Sequence, residues 1–239
     1  MILHELKSIL TEYENQLSKQ LVDELNEKVK LSVEAYPFNE YELRLTFLQE
    51  HNIISFATYE EIRQKYILSN SYLDLYGLAP RVFGQIWGED HIIEKDDRFK
   101  KAHKSLDPKY SGEYDIWLEG IKIEVKASRA INKKIRGSLI SKALEFESTK
   151  TFWMNFQQLK VDICDIFIFI GVWTNDIKYW VLTNEEVKSN PYISHQHRGG
   201  VEYQIGITEK NISKFDNYLV EPQNLTEVIF ERYKNINER

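Results

Sequence analysis

Two acids and a lysine lie close together around a short turn in this chain, and their types suit hydrolytic chemistry. Glu113-Tyr114-Asp115-Ile116-Trp117-Leu118 runs into Glu119-Gly120, and Ile121-Lys122-Ile123-Glu124-Val125-Lys126 follows. Both halves alternate with period two. Tyr114, Ile116 and Leu118 share one face, as do Ile121, Ile123 and Val125. Glu119-Gly120 reads as a two-residue hairpin turn, with Gly120 supplying a positive φ. In that register residue 118 faces 121, 116 faces 123 and Asp115 faces Glu124. Opposed side chains start only about 4.5–5.5 Å apart at Cβ, so two carboxylates there repel unless a cation lies between them. Lys126 lies one pleat beyond Glu124 on the same face. Such a trio suits metal-dependent phosphodiester cleavage. A solvated outer face of an antiparallel pair has the same alternation and is the competing reading.

The surroundings bear on the choice. Residues 121–142 hold seven basic side chains and one acid, whereas the whole chain has 31 Lys+Arg against 37 Asp+Glu and a net charge of −6. A basic stretch in an acidic protein suggests contact with a polyanion. A lysine-rich solvated helix face is the plainer account.

Asp115, with Glu124-x-Lys126 nine residues on in the next strand, resembles the PD-(D/E)xK nuclease superfamily. Within it, the size and layout look like a type II restriction endonuclease. Tyr114 stands where the nominal pattern has Pro. The likeness spans residues 75–210 and is sharp in those three residues. It implies an α/β fold with a restriction-endonuclease-like mixed β-sheet core flanked by helices. Residues 1–74 then form a helical N-terminal region, and 75–239 the nuclease core with a C-terminal helix. It also implies Mg²⁺ as cofactor and sequence-specific hydrolysis of double-stranded DNA. Asp115, Glu124 and the Val125 carbonyl would hold the metal, and Lys126 would orient or deprotonate the attacking water. Glu89, on a helix before the hairpin, would point into the metal site. Ser128, Arg129, Lys133, Lys134 and Arg136 would contact DNA. A structure-specific, repair or phage nuclease of the same superfamily is an alternative, as is a non-catalytic nucleic-acid-binding module.

The elements that must position these groups are legible in part. Leu3, Leu6, Leu10, Tyr13, Leu17, Leu21, Leu25 and Val29 step by three and four, predicting an amphipathic helix or helix pair over 2–31. Its stripe either packs on the core or forms the seam of a homodimer. Pro37 and Asn39 mark a break before a helix over 40–51. Thr58-Tyr59-Glu60-Glu61 reads as a capping box opening a helix to Leu68. Pro80 suits a first helical turn, and the helix continues to Ile93, with Gly84 and Gly88 forming a smooth strip for close packing. Residues 94–112 read as a loop and 141–160 as a helix. Asp165–Trp173 is a continuous apolar run, predicting a strand buried on both faces. Strands follow over 177–182 and 201–208. Thr183 caps a short helix over 184–188, and a last helix covers 225–235.

Two further segments attract notice. In Ser194-His195-Gln196-His197-Arg198-Gly199-Gly200, His195, His197 and Arg198 suit a DNA-contacting loop, since arginine pairs bidentately with guanine. Gln157 and Gln158 suit adenine recognition or phosphate contact. Surface loops and surface amides are the plainer accounts. The lone Cys164 excludes an intrachain disulfide framework and a Cys-based zinc site. No apolar run approaches the ~20 residues of a membrane helix, and the N-terminus lacks a signal-peptide core. No membrane partner and a cytoplasmic location are therefore expected.

Overall fold

A computed structural model describes residues 3–31, 40–196 and 201–237. The chain divides into two compact units, and each is assembled from separate stretches of sequence.

The first unit comprises Met1–Gly77, Ile131–Lys150 and Trp173–Asp176. Its helices are α1 (Leu3–Glu14), α2 (Lys19–Leu31), α3 (Glu40–Glu50) and α4 (Phe56–Ser69). The N-terminal stripe is spent on this unit's own core. Leu6, Leu10, Leu17 and Leu25 are buried with Leu45, Phe47, Leu48, Ile62 and Tyr66, while Leu21 and Val29 pack against them. The break at Pro37 and Asn39 lies outside the described residues. Helix α4 begins one turn earlier than its sequence suggests. Ser55, not Thr58, is the cap, because its extended backbone lets Oγ accept the Thr58 N–H at 3.0 Å.

The two later stretches complete this unit. Ile140 and Ala143 pack against the helical core. Thr174 ties in through backbone bonds from Tyr72 N–H to its carbonyl (2.9 Å) and from its own N–H to Leu144 (3.0 Å). Its hydroxyl also bonds the buried Asn70 side chain.

The second unit comprises Leu78–Ala130, Thr151–Val172 and Ile177–Arg239. It holds β1 (Lys100–Lys101), β2 (Ile116–Leu118), β3 (Ile121–Arg129), β5 (Ile166–Val172), β6 (Ile177–Thr183) and β9 (Leu219–Val220) in a six-stranded mixed sheet. The order is β1-β2-β3-β5-β6-β9, with β3 and β5 parallel and every other neighbouring pair antiparallel. Strand β5 is buried along its full length, as its apolar run predicts. A second sheet pairs β4 (Trp153–Leu159), β8 (Tyr203–Thr208) and β7 (Ile193–His195) in that order.

The helix expected over 141–160 is absent. Residues 141–152 are turns and irregular backbone with an isolated bridge at Ala143, and β4 takes Trp153–Leu159. The reason is a β-bulge between Phe156 and Leu159. It spaces these two buried side chains by three, so the sequence imitates a helical face although the backbone is extended.

A capping box opens the short helix that follows β6. In α6 (Asn184–Lys188) the Thr183 hydroxyl accepts the Glu186 N–H, and Glu186 accepts the Thr183 N–H. Arg232 of α7 (Leu225–Asn237) grips Glu186 with two bonds of 3.0 Å. Among the described residues no helix is long and apolar enough to cross a membrane.

Close packing across the main sheet demands a glycine at one position. A Cβ on Gly171 would lie 2.6 Å from the Trp180 ring and 2.9 Å from the Met154 sulfur. Gly171→Ala should therefore cost about 1–3 kcal/mol through overpacking. A lowered urea midpoint with an unchanged slope is the expected result, and an unaltered midpoint would contradict this packing.

Candidate active site

The acids and the lysine meet because a tight turn fixes the register of β2 on β3. Glu119 and Gly120 have φ of +48° and +103°, so both central residues are left-handed, as a type I′ turn requires. Ile116 then pairs with Ile123, Trp117 with Lys122 and Leu118 with Ile121. At Asp115, the mouth of the hairpin, the chain slips one residue out of this register. The Asp115 N–H donates to the Ile123 carbonyl at 3.0 Å, and its carbonyl accepts the Ala102 N–H at 2.9 Å. Its Oδ2 accepts the Val125 N–H at 2.8 Å. In a strand a residue's N–H and C=O leave on the same edge, so the Val125 carbonyl also leaves on the Asp115 side.

Glu124 and Lys126 project from the same face of β3. Lys126 Nζ lies 2.5 Å from Glu124 Oε1, and their side chains are only 19% and 8% exposed. The other Glu124 oxygen, Oε2, is buried without a hydrogen-bond partner. Such an atom costs about 1–3 kcal/mol, more when charged, so it calls for a reason.

Burial dominates the electrostatics. It pushes the Asp115 carboxyl up, against the opposing pull of Lys126 and the Val125 N–H. It pushes Glu124 up to about 7, with Lys126 opposing and Asp115 reinforcing the rise. Burial also works to lower Lys126, but the two acids outweigh it and hold the ammonium above its ordinary value. Lys126 is thus a charged donor in the free protein.

Glu89 reaches this cluster from a helical segment. Val82–Gly88 winds as a π-helix and continues as α5 (Glu89–Ile93), and π-helical turns occur often at functional sites. Glu89 is buried. Its carboxyl is raised first by burial and then by the Asp115 charge, while Lys101 pulls it back. Lys101 Nζ sits 3.1 Å from Glu89 Oε2.

A column of rings steadies the segment. Phe83 stacks on Trp87 (5.1 Å, 8°), Trp87 on His91 (4.7 Å, 22°) and His91 on Tyr179 of β6 (5.9 Å, 6°). His91 Nε2 bonds the Tyr179 hydroxyl at 2.7 Å. Burial, then Lys95, lowers His91 to about 4 and keeps it neutral at physiological pH. The glycine strip is shorter than expected. A Cβ on Gly88 would meet Ala127 of β3 at 3.3 Å, but Gly84 faces open space.

The remaining candidate residues are dispersed. Ser128 is half-buried, and its Oγ accepts the Asn155 N–H at 2.8 Å. Arg129 is buried, donates to the Leu78 carbonyl at 2.8 Å and lies 4.2 Å over the Phe83 ring. Its cation serves the ring column. Lys133, Lys134 and Arg136 are exposed in the turn-rich stretch of the helical unit. Gln157 is exposed on β4, and His195 is exposed at the end of β7 with its ring 4.6 Å from Tyr203. His197 and Arg198 lie outside the described residues.

Sequence reasoning missed Lys101, which sits in a segment read as loop and is carried to Glu89 by the two-residue β1. It also missed that Lys160 and the buried Cys164 lie in the electrostatic neighbourhood of Glu124. No local motif marks any of the three.

Among the described residues no group of three or more His, Cys, Asp or Glu side chains is arranged to hold a metal by itself. Mg²⁺ asks for less, since it is commonly bound by one or two carboxylates with several waters retained. Asp115, the unpartnered Glu124 oxygen and the Val125 carbonyl offer hard oxygen donors of that kind. Comparison with protein-family models, curated proteins and solved structures gives no match to this chain.

The raised Glu124 carboxyl has a consequence for stability. The folded protein binds this proton more tightly than the unfolded chain, so its contribution is full below the ordinary value of 4.5 and is lost as pH rises towards about 7. Glu124→Gln should flatten the fall in metal-free stability across that interval. Urea titrations of both proteins at several pH values test this, and parallel pH profiles would count against the assignment.

Proposed function

We propose that this chain is a Mg²⁺-dependent endonuclease that hydrolyses phosphodiester bonds in double-stranded DNA at specific sequences, with a restriction-endonuclease-like core. The observation that carries the reading is the buried Glu124 beside the half-buried Asp115 and a charged Lys126, with one Glu124 oxygen lacking a hydrogen-bond partner. A buried ion pair adds little net stability, so three such groups in one place are better explained by chemistry than by folding. Perturbed carboxylates gathered beside a cation are a recognised mark of functional sites.

Asp115, Glu124 and the Val125 carbonyl would hold the metal, with Glu89 beside them. When bound, Mg²⁺ would polarise the phosphate and lower the pKa of water. Lys126, held protonated by the two acids, donates to the scissile phosphate and stabilises the charge that develops on it. Asp115 keeps its orientation because three backbone groups bond its residue, so the carboxylate needs no rearrangement when substrate arrives.

Digestion of plasmid and phage DNA with and without Mg²⁺ tests the reading. Wild type should give discrete Mg²⁺-dependent fragments. Lys126→Ala and Asp115→Ala should each lose about 10²–10⁴-fold in rate while remaining folded. Glu124→Gln should lose the rise in melting temperature that Mg²⁺ gives the wild type. Cutting by Asp115→Ala at the wild-type rate would sink the proposal.

A further inference from the structure

We propose that the outer face of the three-stranded sheet reads adenine-containing base pairs next to the cleavage centre. This inference rests on the endonuclease reading. It starts from composition. Charged residues make up 28% of the chain, yet β4 (WMNFQQL), β7 (ISH) and β8 (YQIGIT) contain no Asp, Glu, Lys or Arg. Met154 and Phe156 pair with Ile207 and Ile205, and all four side chains are buried. The opposite face therefore carries Asn155, Gln204 and Ser194, which are neutral groups that both donate and accept hydrogen bonds, beside Trp153, whose ring covers Gly206. Phosphates are held mainly by cations, whereas base edges are read by hydrogen-bonding side chains. Asn and Gln amides match adenine N6 and N7 in the major groove.

The face is continuous with the reacting centre. Glu124, Lys126 and Ser128 alternate along one face of β3, so Ser128 lies about 7 Å beyond Lys126. Ser128 Oγ accepts the backbone N–H of Asn155 at 2.8 Å, which fastens the amide face to the catalytic strand. Asn155 Nδ2 then donates to Gln204 Oε1 at 3.1 Å, and Gln204 pairs in register with Ser194. A duplex whose phosphate meets Lys126 thus brings base pairs only one or two steps away against these amides.

Two details fit a reading surface better than a finished structural one. Asn155 Oδ1 is buried without a hydrogen-bond partner, so the Asn155–Gln204 pair is incompletely satisfied in the free protein. Gln158 holds a left-handed backbone, φ +57°, on a side chain with a Cβ, and its N–H donates to Gln196 Oε1 at 2.6 Å. The bulge containing it leaves both Gln157 and Gln158 exposed at the end of the face. Strain of about 1–3 kcal/mol at such a residue tends to be kept where function requires the geometry.

The test is cleavage of a randomised duplex library in Mg²⁺, with the fragment ends sequenced for wild type, Gln204→Ala and Gln157→Ala. Circular dichroism melts check that each variant is folded. The wild type should show a preference that includes A·T pairs. Each variant should cut with that preference relaxed at one or two A·T positions, the ratio of favoured to disfavoured sequence falling about 5- to 150-fold, as expected for losing a bidentate contact. Folded variants that cut with an unchanged preference, or that lose rate equally on every sequence, overturn the amide face and leave the nuclease reading standing. A wild type that cuts no duplex in the library overturns both.

Discussion

Holding a half-buried and a buried carboxylate together at the mouth of a hairpin is the constraint on which the rest of the second unit depends. Like charges at that spacing repel, and burial strengthens the penalty. The protein meets it with a lysine 2.5 Å from Glu124, with proton affinity raised on both acids, and with the Val125 N–H donating to Asp115. Each remedy needs rigid support. The type I′ turn sets the register, the parallel partner β5 backs β3 with a wholly apolar strand, and the stacked rings hold Glu89 at the same cluster. The unusual winding at Val82–Gly88 belongs with these supports, because it carries Phe83 and Trp87 into the column just before Glu89.

Much of this was legible in the sequence where the signal is local. Glu119-Gly120 encodes its turn, so the pairing of Ile116 with Ile123 follows from counting, whereas Asp115 slips out of that register to bond Ile123 and Val125. The Asp165–Trp173 run encodes a central strand, and Thr183 with Glu186 encodes its cap. The N-terminal stripe encodes amphipathic helices, though not where they pack.

What could not be read depends on partners distant in sequence or on irregular backbone. A bulge turned the period of β4 into a helical imitation. Lys101 has no motif of its own and matters only because β1 pairs with β2. Arg129 looks like a phosphate ligand in a basic run, but a nearby ring and a carbonyl claim it. The capping of α4 shifted by one turn because Ser55 and Thr58 are both competent caps and the extended backbone at Ser55 decides between them.

The interleaving of the two units bears on how the chain folds. The helical unit takes its last pieces from Ile131–Lys150 and Trp173–Asp176, each reached only after a strand of the other unit has been made. During synthesis from the N-terminus, Asn70 and Tyr72 must therefore wait about a hundred residues for Thr174. Closing so long a loop costs entropy before any contact returns it, which slows folding. The four helices would emerge early with part of their apolar core uncovered. The completed helical unit and the strands on either side of Thr174 would then be secured in the same late step.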